Sequence, residues 1–157
     1  MSEFNNIEPP TTQTTIDDWN RLADLGNKEA MHNLGSAYQG GHIVPQDQTQ
    51  AASWWKKATV QGYAPSMDHL GWAYYHGQGV TKDWGKAFPL WVKASAQGYT
   101  PAYHSLGLAY FWGVGVKANP TKAMATWLFG AKLGNLASLY SLSLYHFQNY
   151  LDKEIID

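Results

Sequence analysis

The chain has no cysteine and almost no net charge, and each of these shortages excludes a class of protein. Without cysteine, the 157 residues cannot form a disulfide, an iron–sulfur cluster, a thiolate zinc site or a cysteine nucleophile. Eleven basic and twelve acidic residues give a formal net charge of −1. The strong positive field of a dedicated nucleic-acid binder is therefore missing. No apolar run approaches the roughly 20 residues that span a bilayer. The composition predicts about one domain that binds neither nucleic acid nor membrane.

The N-terminal segment, residues 1–14, is polar and has no apolar periodicity. It contains Pro9 and Pro10 and lacks the apolar centre of a signal peptide. We expect a disordered or extended arm here, because such a segment has little apolar surface to bury. The rest of the chain is predicted to consist of a repeat domain at 15–150 and a short tail at 151–157. The absence of an export signal from these residues predicts a cytoplasmic location.

The sequence is rich in residues that recur every 36 positions. Three columns hold the same residue four times without a gap. They are Trp19, Trp55, Trp91 and Trp127; Gly26, Gly62, Gly98 and Gly134; and Leu34, Leu70, Leu106 and Leu142. A period of this length is typical of proteins built from stacked helix pairs.

Each unit is predicted to contain two helices. In the first unit Ala30, Leu34 and Tyr38 lie on one helical stripe. The second helix is predicted to begin at an N-cap carboxylate or amide and to end at a glycine of the 36-residue column. The predicted N-caps are Asp47, Asp83 and Asn119, and the predicted helices are 15–25, 28–39, 48–61, 64–75, 84–97, 100–112, 120–132 and 136–149. The predicted fold is all-α, a short right-handed α/α superhelix.

The second unit carries a resemblance to a known family. Its motif residues are Leu70-Gly71, Tyr74, Gly77-x-Gly79-Val80, Asp83, Lys86-Ala87, Trp91, Lys93-Ala94 and Gly98. This pattern resembles the Sel-one-like repeat (SLR) family, a relative of the tetratricopeptide repeat, over about residues 16–148. Two departures are Ile43, which replaces a turn glycine, and Pro89, which is expected to break a backbone bond and bend its helix. The resemblance implies a non-enzymatic scaffold or adaptor that binds a protein or peptide and needs no cofactor.

The resemblance also implies a binding surface. In tetratricopeptide repeats the first helix of each pair lines the concave face. Positions two before, two after and five after each column leucine share one stripe there, and they vary between units. His76 and Trp112, each one residue beyond a stripe position, are added to the set. The predicted partner-binding residues are His32, Ser36, Gln39, Asp68, Trp72, Tyr75, His76, His104, Leu108, Phe111, Trp112, Tyr140, Leu144 and Phe147. The alternative is that these side chains pack inside the superhelix.

Metal and enzyme chemistry are weaker interpretations. His32, Asp68 and His104 share a repeat column, but equivalent positions on stacked units are about a helix diameter or more apart. Zinc needs its ligand atoms at about 2 Å and usually a fourth ligand. The Gly77-Gln78-Gly79 stretch follows a predicted helix, not a strand, and is predicted to be a turn rather than a phosphate loop. No nucleophile motif is present. We therefore predict no catalytic residue and no metal.

Two further patterns bear on the partner. Residues 1–48 contain seven acidic and two basic residues, which is the charge expected of an inhibitor of a basic protein. SLR proteins also occur as immunity proteins that occlude a bacterial toxin, and this is the alternative to the adaptor role. The last predicted helix is apolar on nearly every side, so a partner or a second copy of the chain is expected to cover it.

Overall fold

The computed structural model describes residues 12–154, with side chains over 15–146. Along this part of the chain eight α-helices follow one another. They are α1 (Thr12–Asp24), α2 (Lys28–Gly40), α3 (Gln48–Val60), α4 (Ala64–His76), α5 (Trp84–Ala96), α6 (Pro101–Trp112), α7 (Pro120–Lys132) and α8 (Leu136–Glu154). The prediction of an all-α fold is confirmed. We call α2, α4, α6 and α8 the A helices and α1, α3, α5 and α7 the B helices.

The helices form antiparallel pairs that stack in chain order. α2 packs on α3, α4 on α5 and α6 on α7, and the A helices α4, α6 and α8 also touch their neighbours. α1 begins at Thr12, three residues before the predicted start, and α8 continues to Glu154, beyond the predicted end at 149. The division into arm, repeat domain and tail stays a prediction. Residues 1–11 of the arm and 155–157 of the tail lie outside the described residues.

The predicted helix caps are confirmed. The Asp47 carboxylate accepts hydrogen bonds from the first free amides of α3, and Asp83 and Asn119 do the same for α5 and α7. At the other end of the B helices, the column glycines adopt left-handed φ values of +76°, +77° and +86° at Gly62, Gly98 and Gly134. A residue with a side chain is strained in that conformation, which explains the glycine column.

The tryptophan column packs against a second column of glycines inside the A helices. Trp55, Trp91 and Trp127 are buried, and Trp19 is partly buried. A Cβ atom added at Gly71 would collide with the indole of Trp91, and Gly35 and Gly107 face their own tryptophans in the same way. The glycine costs helix stability but allows a large ring to lie directly on the backbone.

The turns between paired helices also join neighbouring units. Gly79 has a φ of +68°, and a Cβ there would collide with the carbonyl of Gln48 at the start of α3. Gly115, at +67°, approaches the carbonyl of Trp84 at the start of α5. Ile43 holds the equivalent position in the first unit and has no positive φ. The turn of each later unit therefore lies against the previous B helix.

Pro89 lies in the middle of α5 and does not end it. The helix runs through the proline for 13 residues, the same length as α3. Proline has no N–H, so the carbonyl of Gly85, four residues earlier, lacks its normal helical donor. Both residues are exposed. The expected loss of a backbone bond is thus located on the outer surface of the helix.

Candidate partner-binding surface

Asp68, a predicted binding residue, is buried between two A helices. Its Oδ1 accepts a 2.7 Å hydrogen bond from the Ser105 hydroxyl, which accepts a 3.0 Å bond from Trp72 Nε1. Burial raises the pKa of the Asp68 carboxyl, while the hydrogen bond from Ser105 and the nearby His69 act in the opposite direction. Asp68 therefore orients Trp72 through Ser105 and does not itself face solvent.

His32 occupies the equivalent place one unit earlier. Its Nδ1 lies 3.0 Å from the Ser66 hydroxyl, and its ring packs edge-on against His69 with the centroids 4.9 Å apart. Burial and, to a smaller extent, the charge of His69 together lower the pKa of His32 to about 4. His32 is thus neutral near pH 7 and offers a partner no positive charge.

His104 continues this row in the third unit. Its Nδ1 lies 3.3 Å from the Ser141 hydroxyl, and burial lowers its pKa. All three residues of the row contact the residue 37 positions later, on the next A helix. The contacts are His32–His69, Asp68–Ser105 and His104–Ser141. The structure places this part of the predicted surface in the packing between units.

The predicted residues of the first unit are half-buried. The Ser36 hydroxyl donates to the backbone carbonyl of His32 at 3.1 Å, and the carbonyl of Gln39 accepts from the Gln46 side chain at 2.8 Å. Ser36 also lines an open hollow of about 210 Å³ beside Trp19. Ser36 is thus bonded within its own helix, and the Gln39 carbonyl is bonded to the turn that follows the helix.

An aromatic cluster joins the second and third units. We define it as Trp72, Tyr75, His76, Trp84 and Trp112. The exposed His76 ring stacks on Trp72 at a centroid distance of 5.6 Å, and Tyr75 stacks on Trp84 at 6.2 Å. Trp112 is 68% exposed and shares a hollow of about 50 Å³ with Trp72 and Tyr75. The predicted Leu108 lines the same hollow.

The sequence reasoning missed Trp84 in this cluster, because it considered A helices only. Trp84 is the first residue of a B helix and is 44% exposed. The side chain of Lys82 lies over its ring, 4.8 Å from the centroid. Its signal was a tryptophan in a column that otherwise holds Thr12, Gln48 and Pro120.

The last A helix presents an apolar stripe. We define the α8 stripe as Leu136, Leu139, Tyr140 and Leu144, which follow the spacing of one helical face. Their exposed fractions are 78%, 49%, 65% and 49%. The predicted Phe147 lies on the same helix, but its side chain is outside the described ones. The predicted Phe111 lies deeper, with its ring 5.6 Å from Trp127 and 5.8 Å from Tyr145.

The repeat register explains why the α8 stripe is exposed. Tyr140 is the equivalent of His104, and His104 contacts the next A helix. In the described part of the chain, no further A helix lies against Tyr140. The stripe is therefore the side of an A helix that, in the earlier units, receives another helix.

Two serine–histidine contacts are present among the described side chains, Ser66–His32 and Ser141–His104. Ser66 is fully buried next to His32, and the neighbouring Asp68 contacts Ser105 rather than the histidine. Within residues 15–146, no group of three or more acidic, histidine or cysteine residues is placed to hold a metal ion. No described helix is long and apolar enough to cross a bilayer.

Comparisons with known proteins agree with this architecture. The Sel1 repeat model matches residues 28–63, 64–99 and 100–135, which contain the pairs α2–α3, α4–α5 and α6–α7. A protective antigen of uropathogenic Escherichia coli strains, which displays an SLR fold, is 32% identical with a TM-score of 0.82. The alignment covers 88% of this chain and 30% of the antigen. No curated protein matches the chain.

Two other solved structures are similar. A Sel1 repeat protein from Oxalobacter formigenes is 27% identical with a TM-score of 0.77, over 87% of this chain and 56% of that one. Cysteine-rich protein B of Helicobacter pylori shares the fold at 22% identity and a TM-score of 0.64, over 83% of this chain and 94% of that one. This chain thus spans about a third of the E. coli antigen and about half of the O. formigenes protein.

The paired helices and their 36-residue register define an α/α repeat protein. More narrowly, the chain belongs to the Sel1 repeat family, as the resemblance predicted. Sel1 repeat proteins are generally protein-interaction modules.

Proposed function

We propose that this chain is a non-enzymatic adaptor or scaffold that binds a partner protein through the α8 stripe and the aromatic cluster. The observation that carries the proposal is the exposure of the α8 stripe, on the side where earlier A helices contact the next unit. Exposed apolar patches of this kind generally mark interaction sites. The α8 stripe is the proposed centre of the interface.

The chemistry of the two surfaces supports this choice. Burying a leucine-sized side chain fully contributes about 1.5–3 kcal/mol, and tryptophan and tyrosine are frequent binding hot spots. Tyr140 and Trp112 are the most exposed aromatic residues of the proposed surface. By contrast, the polar row of His32, Asp68 and His104 lies between neighbouring A helices and contributes to the stability of the fold rather than to binding. A helix or an extended apolar segment of a partner protein fits this surface.

Affinity capture with mass spectrometry tests the proposal. We expect a Tyr140→Glu, Leu144→Glu variant to lose the partner that the wild-type chain captures, with thermal melting followed by circular dichroism nearly unchanged. A Leu25→Glu variant is the matched control, since Leu25 is 79% exposed near the other end of the superhelix. Equal capture by both variants would contradict the proposal.

A second copy of the chain is a further candidate for this surface. Sedimentation equilibrium of the wild-type chain distinguishes the two occupants. Dimers that dissociate in the Tyr140→Glu, Leu144→Glu variant would indicate self-association. A wild-type monomer that binds no hydrophobic dye and captures no protein would contradict both. The proposal keeps the predicted cytoplasmic location for the adaptor.

A toxin-neutralising immunity protein is the alternative function. Its favouring observation is a run of exposed acidic side chains on α1, α2 and the turn before α3. They are Asp17, Asp18, Asp24, Glu29 and Asp47. Such a surface is complementary to a basic active-site cleft. The expected result is that co-expression with the cognate toxin restores growth, and that charge reversal at Asp24 and Glu29 removes the protection.

A further inference from the structure

A second groove lies on the B-helix side of the molecule, between α3 and α5. It has a volume of about 500 Å³ and is open to solvent. Leu70, Tyr74 and Leu90 form its apolar floor, and Leu70 is itself buried. None of these three belongs to the α8 stripe or the aromatic cluster. The groove is therefore separate from the surface proposed above.

The walls of this groove are basic. Lys56 on α3 and Lys93 on α5 both line it, one from each of the two B helices, and both are exposed. A third lysine of the lining, Lys86, is paired with Asp83 at 3.2 Å between Nζ and Oδ2. None of the described side chains that line the groove is acidic. Two unpaired ammonium groups thus flank an apolar floor, which is a surface complementary to a negatively charged, partly apolar ligand.

Pro89 and Gly85 place a hydrogen-bond acceptor in the same groove. Both residues line it. Because Pro89 has no N–H, the carbonyl of Gly85 lacks the helical donor that every ordinary helix position provides. Gly85 also has no side chain to cover that carbonyl. A ligand with N–H donors can satisfy it, and the backbone of a peptide has such donors at regular spacing.

A comparison with the equivalent space one unit earlier, between α1 and α3, shows why this groove is open. Trp54 holds the repeat position of Leu90, and it packs into the first core cluster. The Lys57 ammonium lies over the Trp54 ring, 3.8 Å from its centroid, so this lysine is already engaged. Between α3 and α5 the smaller Leu90 leaves space, and Lys93, the equivalent of Lys57, has no such aromatic partner.

We propose that the α3–α5 groove binds an extended acidic peptide segment of a partner protein, with an apolar side chain on Leu70 and Leu90, carboxylates at Lys56 and Lys93, and a backbone N–H at the Gly85 carbonyl. The peptide meets all three features of the groove at once. An oligonucleotide would match the lysines but brings no aliphatic group for the floor. This binding goes beyond the function proposed for the α8 stripe and does not depend on it.

Fluorescence anisotropy tests this inference with a short fluorescein-labelled peptide of glutamate, leucine and glycine. We expect saturable binding that weakens as salt rises, because the lysines are partly solvated. A Lys56→Gln, Lys93→Gln variant is expected to bind about tenfold more weakly, the effect of two partly exposed ion pairs. Lys117→Gln, Lys132→Gln is the matched control, since both lysines are exposed and lie outside the groove.

Two further variants separate binding from folding. Leu90→Trp introduces the residue of the preceding unit and is expected to fill the groove and abolish binding. Pro89→Ala restores the missing N–H, so it is expected to weaken peptide binding while raising the thermal midpoint. A variant that only damaged the fold would lower both. The Tyr140→Glu, Leu144→Glu variant should bind the peptide normally, so failure of one proposal does not imply failure of the other.

Several outcomes would overturn the inference. One is equal binding of a peptide in which glutamine replaces every glutamate. Another is tighter binding of a single-stranded oligonucleotide of equal charge. A third is unchanged affinity in the Lys56→Gln, Lys93→Gln variant. Self-association of the wild-type chain that this same variant abolishes would assign the groove to a second copy instead.

Discussion

Trp91 and Trp112 are the same residue type in neighbouring helices, yet their surroundings are opposite. Trp91 is 1% exposed and lies on the backbone of Gly71, whereas Trp112 is 68% exposed and lines a small hollow. The glycine across the contact makes the difference, because it removes the atom that would hold the ring away. Trp91 therefore belongs to the framework, whereas Trp112 is available for binding.

The largest expected effect is at the buried ring. Trp91→Ala removes a fully packed indole and its 3.3 Å hydrogen bond to the carbonyl of Asp68. We expect the free energy of unfolding to fall by about 3–5 kcal/mol. Urea denaturation followed by circular dichroism measures it. A loss as small as that of Trp112→Ala would contradict the assignment of Trp91 to the framework.

A substitution at Gly71, the glycine in contact with Trp91, should also lower the stability of the fold. Gly71→Ala adds a Cβ that collides with the Trp91 indole, and we expect a loss of about 1–3 kcal/mol from overpacking. Gly40→Ala is the control, because its Cβ would meet His42 at an ordinary 3.4 Å. Alanine favours the helix there, so the control should gain stability. The two thermal midpoints should move in opposite directions.

The polar row between the A helices adds a pH dependence. His32 has a pKa of about 4 in the folded chain and about 6.5 when unfolded, so between these values the unfolded chain binds the extra proton. The contribution of His32 to the free energy of unfolding is complete above pH 6.5 and is lost as the pH falls toward 4. It amounts to about 1 kcal/mol after solvent screening. His32→Gln should flatten the curve of unfolding free energy against pH. An identical curve for both chains would contradict this role.

The smallest effect on stability is expected at the exposed ring. Trp112→Ala should leave the free energy of unfolding within about 0.5 kcal/mol of the wild type, as for most surface changes. Binding of the partner should nevertheless weaken, because Trp112 belongs to the proposed interface. Titration calorimetry with the captured partner measures this. Strong destabilisation without loss of affinity would place Trp112 in the framework instead.

The framework was predictable from the sequence because each of its columns has a local physical cause. Asp47 caps a helix, Gly62 ends one in the left-handed region, and Gly71 admits a ring. Because these requirements recur in every unit, the repeats of a single chain show them without a comparison with related sequences. The helix pairs, their order and their caps therefore followed from the spacing of 36.

The binding surface was less predictable, because it depends on how one unit sits on the next. Asp68 and Trp112 both lie on A helices and both vary between units, yet Asp68 is buried and Trp112 is exposed. Helical spacing gives the face of a helix but not the distance to the helix beside it. Trp84 was missed for a related reason: its contact with Tyr75 crosses from a B helix to an A helix.

The close approach of Gly79 to Gln48 and of Gly115 to Trp84 has a consequence for how the molecule comes apart. Each of these turns needs the start of the preceding B helix beneath it, so a unit loses part of its support when the unit before it unfolds. Ile43 in the first turn lacks the left-handed conformation of its two counterparts. Stability in such a chain is passed between nearest neighbours. Gly79 couples the second unit to the first as Gly115 couples the third to the second, so we expect amide hydrogen exchange to begin in the first unit and to spread to the other two.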